Sequence, residues 1–445
     1  MSNQNEKIKI LVIGGGAREH ALAWKLGQSP GCAWVHVAPG NPGMEFTTTL
    51  VKRGVDDIEG LTEYALKEKI GLVVIGPEAP LAMGMADHMI KAGLKVFGPK
   101  ASGARLESSK TFAKEFMARH NIPTAAHQSF TDMNSALEYL DQKPDAPIVV
   151  KASGLAQGKG VTVAQNRAEA RAAVVEAMGD GRFGEAGQEV VIEDYIDGEE
   201  VTILSFTDGK TIKPMLPVQD HKRLGEGDTG PNTGGMGAYS PVAIYTPEIA
   251  REVEETVIQP TLKGLAEEGI DYCGCLYFGL ILPSEKSPYH GPQVIEYNAR
   301  FGDPETEVLM PLLQSDLVQI MLACTEGTLA ECEVKWSDET AVCVVIASGG
   351  YPGEYKTGQV ITESVPAHGG AALAFHAGTA LNDKFENISA GGRVITVAAK
   401  EATLEQALFI VYDRVRSIHF KNSYYRNDIA YRELARRGQN TPPKG

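Results

Sequence analysis

Five short stretches of this 445-residue chain gather charged residues, most of them with glycine, at spacings that suit phosphate and carboxylate chemistry. The first is Gly14-Gly15-Gly16-Ala17-Arg18-Glu19-His20, set between an apolar strand-like run and a helix-like run. Free backbone N–H groups and the helix dipole at such a junction favour an anion. A dinucleotide fingerprint fails here, because the third glycine of G-x-G-x-x-G would fall at Glu19. Arg18 adds a positive charge that suits a monophosphate better than a pyrophosphate, with a ligand-free tight turn as the plain alternative. The second stretch, KASGLAQGKG from Lys151 to Gly160, lets backbone N–H groups approach oxygens that Lys151 and Lys159 neutralise. It is not a Walker A loop: three residues separate Gly154 from Gly158, Gly160 stands in place of Ser or Thr, and a strand-like run follows. A flexible hairpin is the bland alternative.

The third stretch is EDYIDGEE, Glu193 to Glu200, whose backbone can read a base edge while Glu200 accepts from ribose hydroxyls. Acidic strand ends are usually just solvated, so its weight comes from following the glycine loop. The fourth is EYNAR, Glu296 to Arg300, where period-two alternation places Glu296, Asn298 and Arg300 on one face. A carboxylate and an amide oxygen suit Mg2+, which shares phosphate oxygens with ATP. Arg300 can clamp a carboxylate or a transferring phosphoryl group at two points, and the acidic stretch FGDPETE follows as a tight turn. Between these lies QDHKR, Gln219 to Arg223, leading to the glycine-rich GPNTGGMGAYSP. There Asp220 suits an amine and Lys222 an anion, while His221 reads as readily as a structural hydrogen-bonding group as a base.

The elements that must position these groups alternate from Lys7 to Gly98: strands Ile8–Ile13, Val35–Ala38, Leu72–Ile75 and Lys95–Phe97, with helices Glu19–Leu26, Ile58–Lys69 and Ala82–Ala92. This order predicts a doubly wound parallel sheet. A helix over Lys110–His120 opens a second unit. Within it, about 124–197 forms a compact block with helices Asn134–Leu140 and Ala168–Met178 and strands Ile148–Lys151, Val161–Ala164 and Glu189–Ile196. Strands and glycine-rich loops dominate from Thr202 to about Leu329, and a mixed unit closes the chain. The expected division is 1–106, 107–332 including a mobile lid of about 124–197, and 333–445, matching a length prior of roughly three domains.

Net charge is -15, and basic residues stand singly or in pairs, which argues against nucleic acid or a membrane surface as a partner. The six cysteines form no Cys-x-x-Cys pair, no signal peptide is visible, and the longest apolar run, Ala341 to Ala347, is too short to span a bilayer. A reduced, cytoplasmic enzyme, acting as a monomer, is expected.

Taken in order, GGGAREHALAWK, VAPGNPG, IGPEAPL, GLAQGKGV, DGEE, QDHKR, DTGPNTGGMGAYSP, EYNARFGDPETE, ASGGYPG and FHAGT resemble the ATP-grasp superfamily, and within it the phosphoribosylamine–glycine ligase family. The resemblance covers nearly the whole chain. It implies an ATP-grasp fold, α/β and α+β in several domains, with an N-terminal doubly wound sheet and a C-terminal mixed α/β domain. It also implies that ATP activates glycine as a glycyl phosphate, which 5-phosphoribosylamine attacks. By motif, Lys110, Lys151, Gly158, Lys159 and Gly160 would contact ATP phosphates, with Glu193, Tyr195, Ile196 and Glu200 around adenosine. Glu296 and Asn298 would bind Mg2+ or Mn2+. Arg300 and Asp220 would be the catalytic pair, holding the reacting groups with Lys222, Gly234, Gly235 and Gly237. Gly14, Gly15, Gly16, Arg18 and Glu78 would take the phosphate and ribose of the amine. Ser153, Ala17 and Ala299 depart from the family's usual Asp, Gly and Cys without removing a proposed contact. Competing readings are an ATP-grasp enzyme for another purine intermediate and a non-catalytic nucleotide-binding regulator.

Overall fold

The computed structural model describes residues 7–155, 160–179, 184–367 and 371–438. Its first sheet has five parallel strands in the order Thr49–Leu50, Cys32–Pro39, Ile8–Gly14, Ile70–Ile75, Val96–Phe97. Ile10 to Ile13 are fully buried, as expected of a parallel sheet covered on both faces. Strand order reverses between Ile8–Gly14 and Ile70–Ile75, so the turns after these two strands open at the carboxyl-end crevice, where open α/β sheets bind ligands. Those turns carry Gly14–Gly16 and Glu78. The single helix expected over Ala82–Ala92 is instead two, Glu78–Ala82 and Met85–Lys91, parted at Gly84 with φ +82°.

Helix Lys110–Arg119 follows helix Ala101–Ser108 across Ser109, whose hydroxyl accepts from the Phe112 N–H and caps the second helix. The block beyond it is a four-stranded antiparallel sheet, His127–Phe130, Val190–Asp194, Ile148–Ala152 and Val161–Ala164, packed with helices Met133–Gln142 and Arg167–Met178. Its apolar residues, among them Leu140, Val150, Val174 and Ile192, form a core of their own, separate from the two clusters that unite the rest of the chain. The strand expected over Glu189–Ile196 stops at Asp194, and Gly198–Thr207 begins a new one.

That strand lies in a second antiparallel sheet, ordered Ile212–Pro214, Gly198–Thr207, Gly274–Pro283, Gln293–Asn298. Helices are more prominent between Thr202 and Leu329 than expected. Pro247–Val253 continues through a π turn into Gln259–Glu267, and Glu305–Leu312 and Leu317–Glu326 follow. Prolines hide the first two: Pro247 and Pro260 sit in first turns, where a missing N–H costs nothing. The stretch FGDPETE is thus no simple turn, because Glu305 to Glu307 begin a buried helix.

The last sheet joins distant parts of the chain in the order Gln219–Asp220, Gly237–Ser240, Thr340–Ser348, Arg393–Glu401, Leu373–His376. The glycine-rich segment between Asp220 and Gly237 therefore leaves and re-enters a sheet whose centre, Thr340–Ser348, is buried throughout. Among the described residues, no helix is long and apolar enough to cross a membrane.

Candidate active site

The crevice of the first sheet is lined by a turn that has already used part of its own anion capacity. Gly16 N–H donates to Glu19 Oε2 at 2.7 Å, and Arg18 Nε donates to Glu19 Oε1 at 2.6 Å. Arg18 also donates through Nη1 to Phe301 O at 3.1 Å and is 8% exposed. Burial opposes its charge, but Glu19, helped by Glu78 and Asp303, holds its pKa above the ordinary value. Arg18 thus keeps its charge beside the turn and also ties the turn to the 300–307 segment. A side chain at Gly14 would strike Glu19, and one at Gly15 would strike Gly40 O, so the turn requires glycine at both positions.

Strand Gln293–Asn298 ends one residue before Ala299, placing Arg300 beyond the alternation that was to align it with Glu296 and Asn298. Arg300 still joins them: Nη2 donates to Asn298 Oδ1 at 3.2 Å and pairs with Glu107 Oε1 at 2.9 Å, while Nε lies 3.5 Å from Glu78 Oε2. Against the cost of burial, Glu107 and then Glu78 raise the Arg300 pKa and keep it charged. Glu107, unforeseen as a site residue, also accepts from the Ala299 N–H at 2.8 Å.

Asp220 and Lys222 sit on opposite sides of His221 at the start of the glycine-rich segment. Asp220 Oδ1 is buried without a hydrogen-bond partner. Burial, then the Glu305 carboxyl, push Asp220 well above the usual carboxylate range; burial likewise raises Glu305. A pair of acids in this state is relieved by an entering cation. Lys222 Nζ pairs with Glu200 Oε2 at 2.7 Å and lies 3.6 Å from Glu296 Oε1. His221 is structural: its Nε2 accepts from the Ala430 N–H at 2.9 Å, and burial lowers its pKa. Gly235, with φ +110°, packs where a side chain would meet both Pro304 and Asp220.

Across the cleft, lysines dominate. Lys151 Nζ lies 2.9 Å from Glu193 Oε1 and donates to Ile295 O at 2.8 Å. Lys114, which its sequence context left unremarked, lies 2.8 Å from Glu193 Oε2 and is 2% exposed. Lys110 Nζ donates to Gly154 O at 3.1 Å. Ser153 fastens the loop to the helix it faces: its carbonyl accepts from the Lys110 N–H at 2.8 Å and its hydroxyl from the Thr111 N–H at 3.2 Å. Gly160 O accepts from the Ala152 N–H at 2.8 Å, whereas Gly158 and Lys159 lie outside the described residues. Tyr195 is exposed, and Ile196 packs with Ala125 and Ile281.

Glu296 stands where these halves meet. Burial works against its charge, yet Lys222, Lys151, Lys110 and Arg300 together hold its pKa below the ordinary value. An ionised carboxylate with the Asn298 amide oxygen two residues on is a hard-oxygen donor set suited to Mg2+ or Mn2+, which complete their shells with water and phosphate oxygens. Among the described residues no group of three or more His, Cys, Asp or Glu could hold a metal alone, so an ion here would depend on such shared ligands. All six cysteines are free, and burial raises the thiol pKa values of Cys273 and Cys275.

An antiparallel sheet that carries Lys151 against a second antiparallel sheet, preceded in the chain by a parallel-sheet domain, defines an ATP-grasp fold. Family models of phosphoribosylglycinamide synthetase match residues 8–107 (N domain), 108–306 (ATP-grasp (A) domain) and 341–432 (C domain). The chain is 48% identical to the phosphoribosylamine–glycine ligase of Escherichia coli O6:H1 over 96% of its own length and 99% of that relative. The crystal structure of the Thermotoga maritima phosphoribosylamine–glycine ligase superposes with a TM-score of 0.80 at 33% identity, covering 95% of this chain and 100% of the other. The chain belongs to the phosphoribosylglycinamide synthetase family. The biotin carboxylase domain of Hydrogenobacter thermophilus 2-oxoglutarate carboxylase shares the fold alone, with a TM-score of 0.71 at 17% identity over 99% of this chain and 97% of that one.

Proposed function

We propose that this chain joins glycine to 5-phosphoribosylamine with ATP, yielding N1-(5-phosphoribosyl)glycinamide, ADP and phosphate in de novo purine biosynthesis. The observation that carries the site assignment is the meeting at Glu296–Arg300 of two unlike halves, one lined by lysines and one by acids and arginines. A glycine carboxylate oxygen attacks the γ-phosphorus, ADP departs, the amine nitrogen attacks the resulting acyl phosphate, and phosphate leaves. Lys110 and Lys151, with Gly158, Lys159 and Gly160, receive the ATP phosphates, and Glu193, Tyr195, Ile196 and Glu200 surround adenosine. Ile196, with its side chain packed away, contributes backbone groups only.

Asp220, joined by Glu305, takes the ammonium of glycine; that charge offsets the burial of both acids. Arg300 faces the carboxylate and the phosphoryl group in transfer, and Gly234–Gly237 supplies backbone groups around them. Gly14–Gly16 and Glu78 receive the phosphate and ribose of the amine, with Arg18 fixing the turn. Mg2+ or Mn2+ at Glu296 and Asn298 would neutralise phosphate charge during transfer. Phosphate is a good leaving group, so positioning and electrostatics supply most of the rate.

The divisions 1–106, 107–332 and 333–445 are our working domain limits. The block of about 124–197, with its own core, is the lid that closes over ATP and excludes water from the acyl phosphate. A cytoplasmic monomer is the form in which we expect it to act. The test is ADP release with the unstable amine generated in place: it should require glycine and the amine together. ADP release indifferent to either substrate, or faster with another carboxylate or amine, would sink the assignment.

A further inference from the structure

The C-terminal sheet does more than support the cleft. Arg393 heads strand Arg393–Glu401, and its Nη1 donates to Gly234 O at 2.6 Å and to Asp303 O at 2.9 Å. The same guanidinium nitrogen pairs with Asp303 Oδ1 at 3.0 Å. Tyr351 Oη accepts the Gly234 N–H at 2.9 Å. Both backbone polar groups of Gly234 are thus held by residues more than a hundred positions away, 117 for Tyr351 and 159 for Arg393.

The fit is close on both sides. A Cβ at Gly234 would lie 3.0 Å from Arg393 Cζ, and one at Gly392 would lie 2.3 Å from the Tyr351 ring. Asp303 in turn faces the first domain, its Oδ2 3.7 Å from where a Cβ on Gly16 would stand. Glu307, fully buried nearby, has neither carboxyl oxygen hydrogen-bonded, and burial, then the Asp303 charge, raise its pKa; the contacts of Arg393 go to Asp303 instead. Among the described residues, the hydrogen bonds and ion pairs of this arrangement do not involve Lys110, Lys114 or Lys151.

We propose that Arg393 and Tyr351 are positioning residues of the third domain, clamping Gly234 and Asp303 into the shape that receives glycine and the amine without contributing to ATP binding. This rests on the reading above that the Gly234–Gly237 loop holds the reacting groups. All three contacts fall to one nitrogen, Nη1, which the rigid guanidinium plane holds in place, whereas an ammonium on a flexible stem is not pre-organised in that way.

The test compares Arg393→Met, Arg393→Lys and Tyr351→Phe with the wild type. KM for glycine and for the amine, the dissociation constant of ATP by direct binding, the melting temperature and amide hydrogen exchange over 233–237 are measured in each. Both Arg393 variants should raise a substrate KM by roughly ten- to a hundredfold, the range of lost charge-assisted hydrogen bonds, with ATP affinity within about twofold. Tyr351→Phe should raise it about threefold to tenfold, as for one neutral hydrogen bond. Exchange over 233–237 should quicken in all three. Unchanged substrate constants with unchanged exchange, or ATP affinity falling in step with substrate affinity, would overturn the proposal. Should Arg393→Met fail to fold, Arg393→Lys decides by the same two readings. If the wild type shows no glycine- and amine-dependent turnover, the functional reading fails, and the exchange data alone judge the clamp.

Discussion

The two halves of the cleft solve the problem of holding charge in different ways. On the nucleotide side, Lys114 and Lys151 flank the single carboxylate of Glu193, and the strands that carry Lys151 and Glu193 belong to a block with its own small core. On the substrate side, Arg18, Arg300 and Arg393 are each anchored to backbone carbonyls as well as to acids, within elements that share the large cores of the molecule. Of Lys110, Lys114 and Lys151, only Lys151 rides the separately packed block, which suits a part that moves over a polyanion, while the helix carrying the other two packs into the large core. Arginines fixed at several points suit a preformed pocket. A ligase with an acyl phosphate intermediate gains from both, because the pocket must be set before the lid closes and water must be absent after it.

The sharpest break in the comparison comes at the residue both halves share. Glu296→Ala removes the one ionised carboxylate proposed for the metal and should lower turnover on the order of a hundredfold or more, as for loss of one preorganised electrostatic contact. The melting temperature should move by no more than a few degrees, since the Glu296 side chain is 33% exposed at the cleft and the lysines that lose its charge, Lys222 and Lys151 among them, keep other partners. Steady-state rate against Mg2+ concentration reads the effect. Near-normal turnover with unaltered Mg2+ dependence would place the metal elsewhere, and collapse of the melting transition would make Glu296 structural.

Lys114→Met probes the nucleotide half alone. Its Nζ also donates to Thr124 Oγ1 at 2.6 Å, so the lysine fixes the Glu193 carboxylate in one place. KM for ATP should rise about tenfold, the cost of one charge-assisted hydrogen bond, with KM for glycine unchanged. A matching rise for glycine would dissolve the division between halves. Burial lowers the Lys114 pKa to about 8, partly offset by Glu193. A folded pKa below the unfolded value means that the unfolded chain binds more protons between them. Wild-type stability therefore gains a term as pH rises from about 8 toward the ordinary lysine value, and Lys114→Met should lack that gain. Melting temperatures of the two proteins across that window check the sign.

Arg18→Ala is expected to do least to the chemistry directly. Because Arg18 braces Glu19 and Phe301, its loss should lower the melting temperature by a few degrees, roughly the equivalent of 1–3 kcal/mol for an unsatisfied buried group. KM for the amine should rise more than KM for ATP, through a loosened Gly14–Gly16 turn. A raised constant for ATP with that for the amine unchanged would reverse the assignment of the two phosphate sites.

What could be read from sequence was local. The Gly14–Gly16 turn, the 151–160 loop and the strand bearing Glu296 announce themselves by glycine spacing and alternation over ten residues or fewer. Glu19, Glu107, Lys114, Glu305 and Arg393 do not. An acid in a first helical turn or a lysine within a helix ordinarily reads as solvated, and the partner that changes the meaning is distant in sequence. Arg393 and Asp303 are 90 residues apart. The acid-rich run from Asp303 to Glu307 was the available signal: three carboxylates in five residues beside an arginine need a fold that neutralises them. The helix Glu305–Leu312 was obscured for another reason, being buried on almost every side and so lacking an amphipathic stripe.

A moving nucleotide half beside a fixed substrate half is tested most directly by amide hydrogen exchange with and without saturating Mg-ATP. Protection should increase across 148–154 and 160–164, in the strand that carries Lys151 and from Gly160 into strand Val161–Ala164, and stay unchanged across 234–240 and 300–307. Equal protection of both regions, or no change in the first at confirmed saturation, would contradict the division.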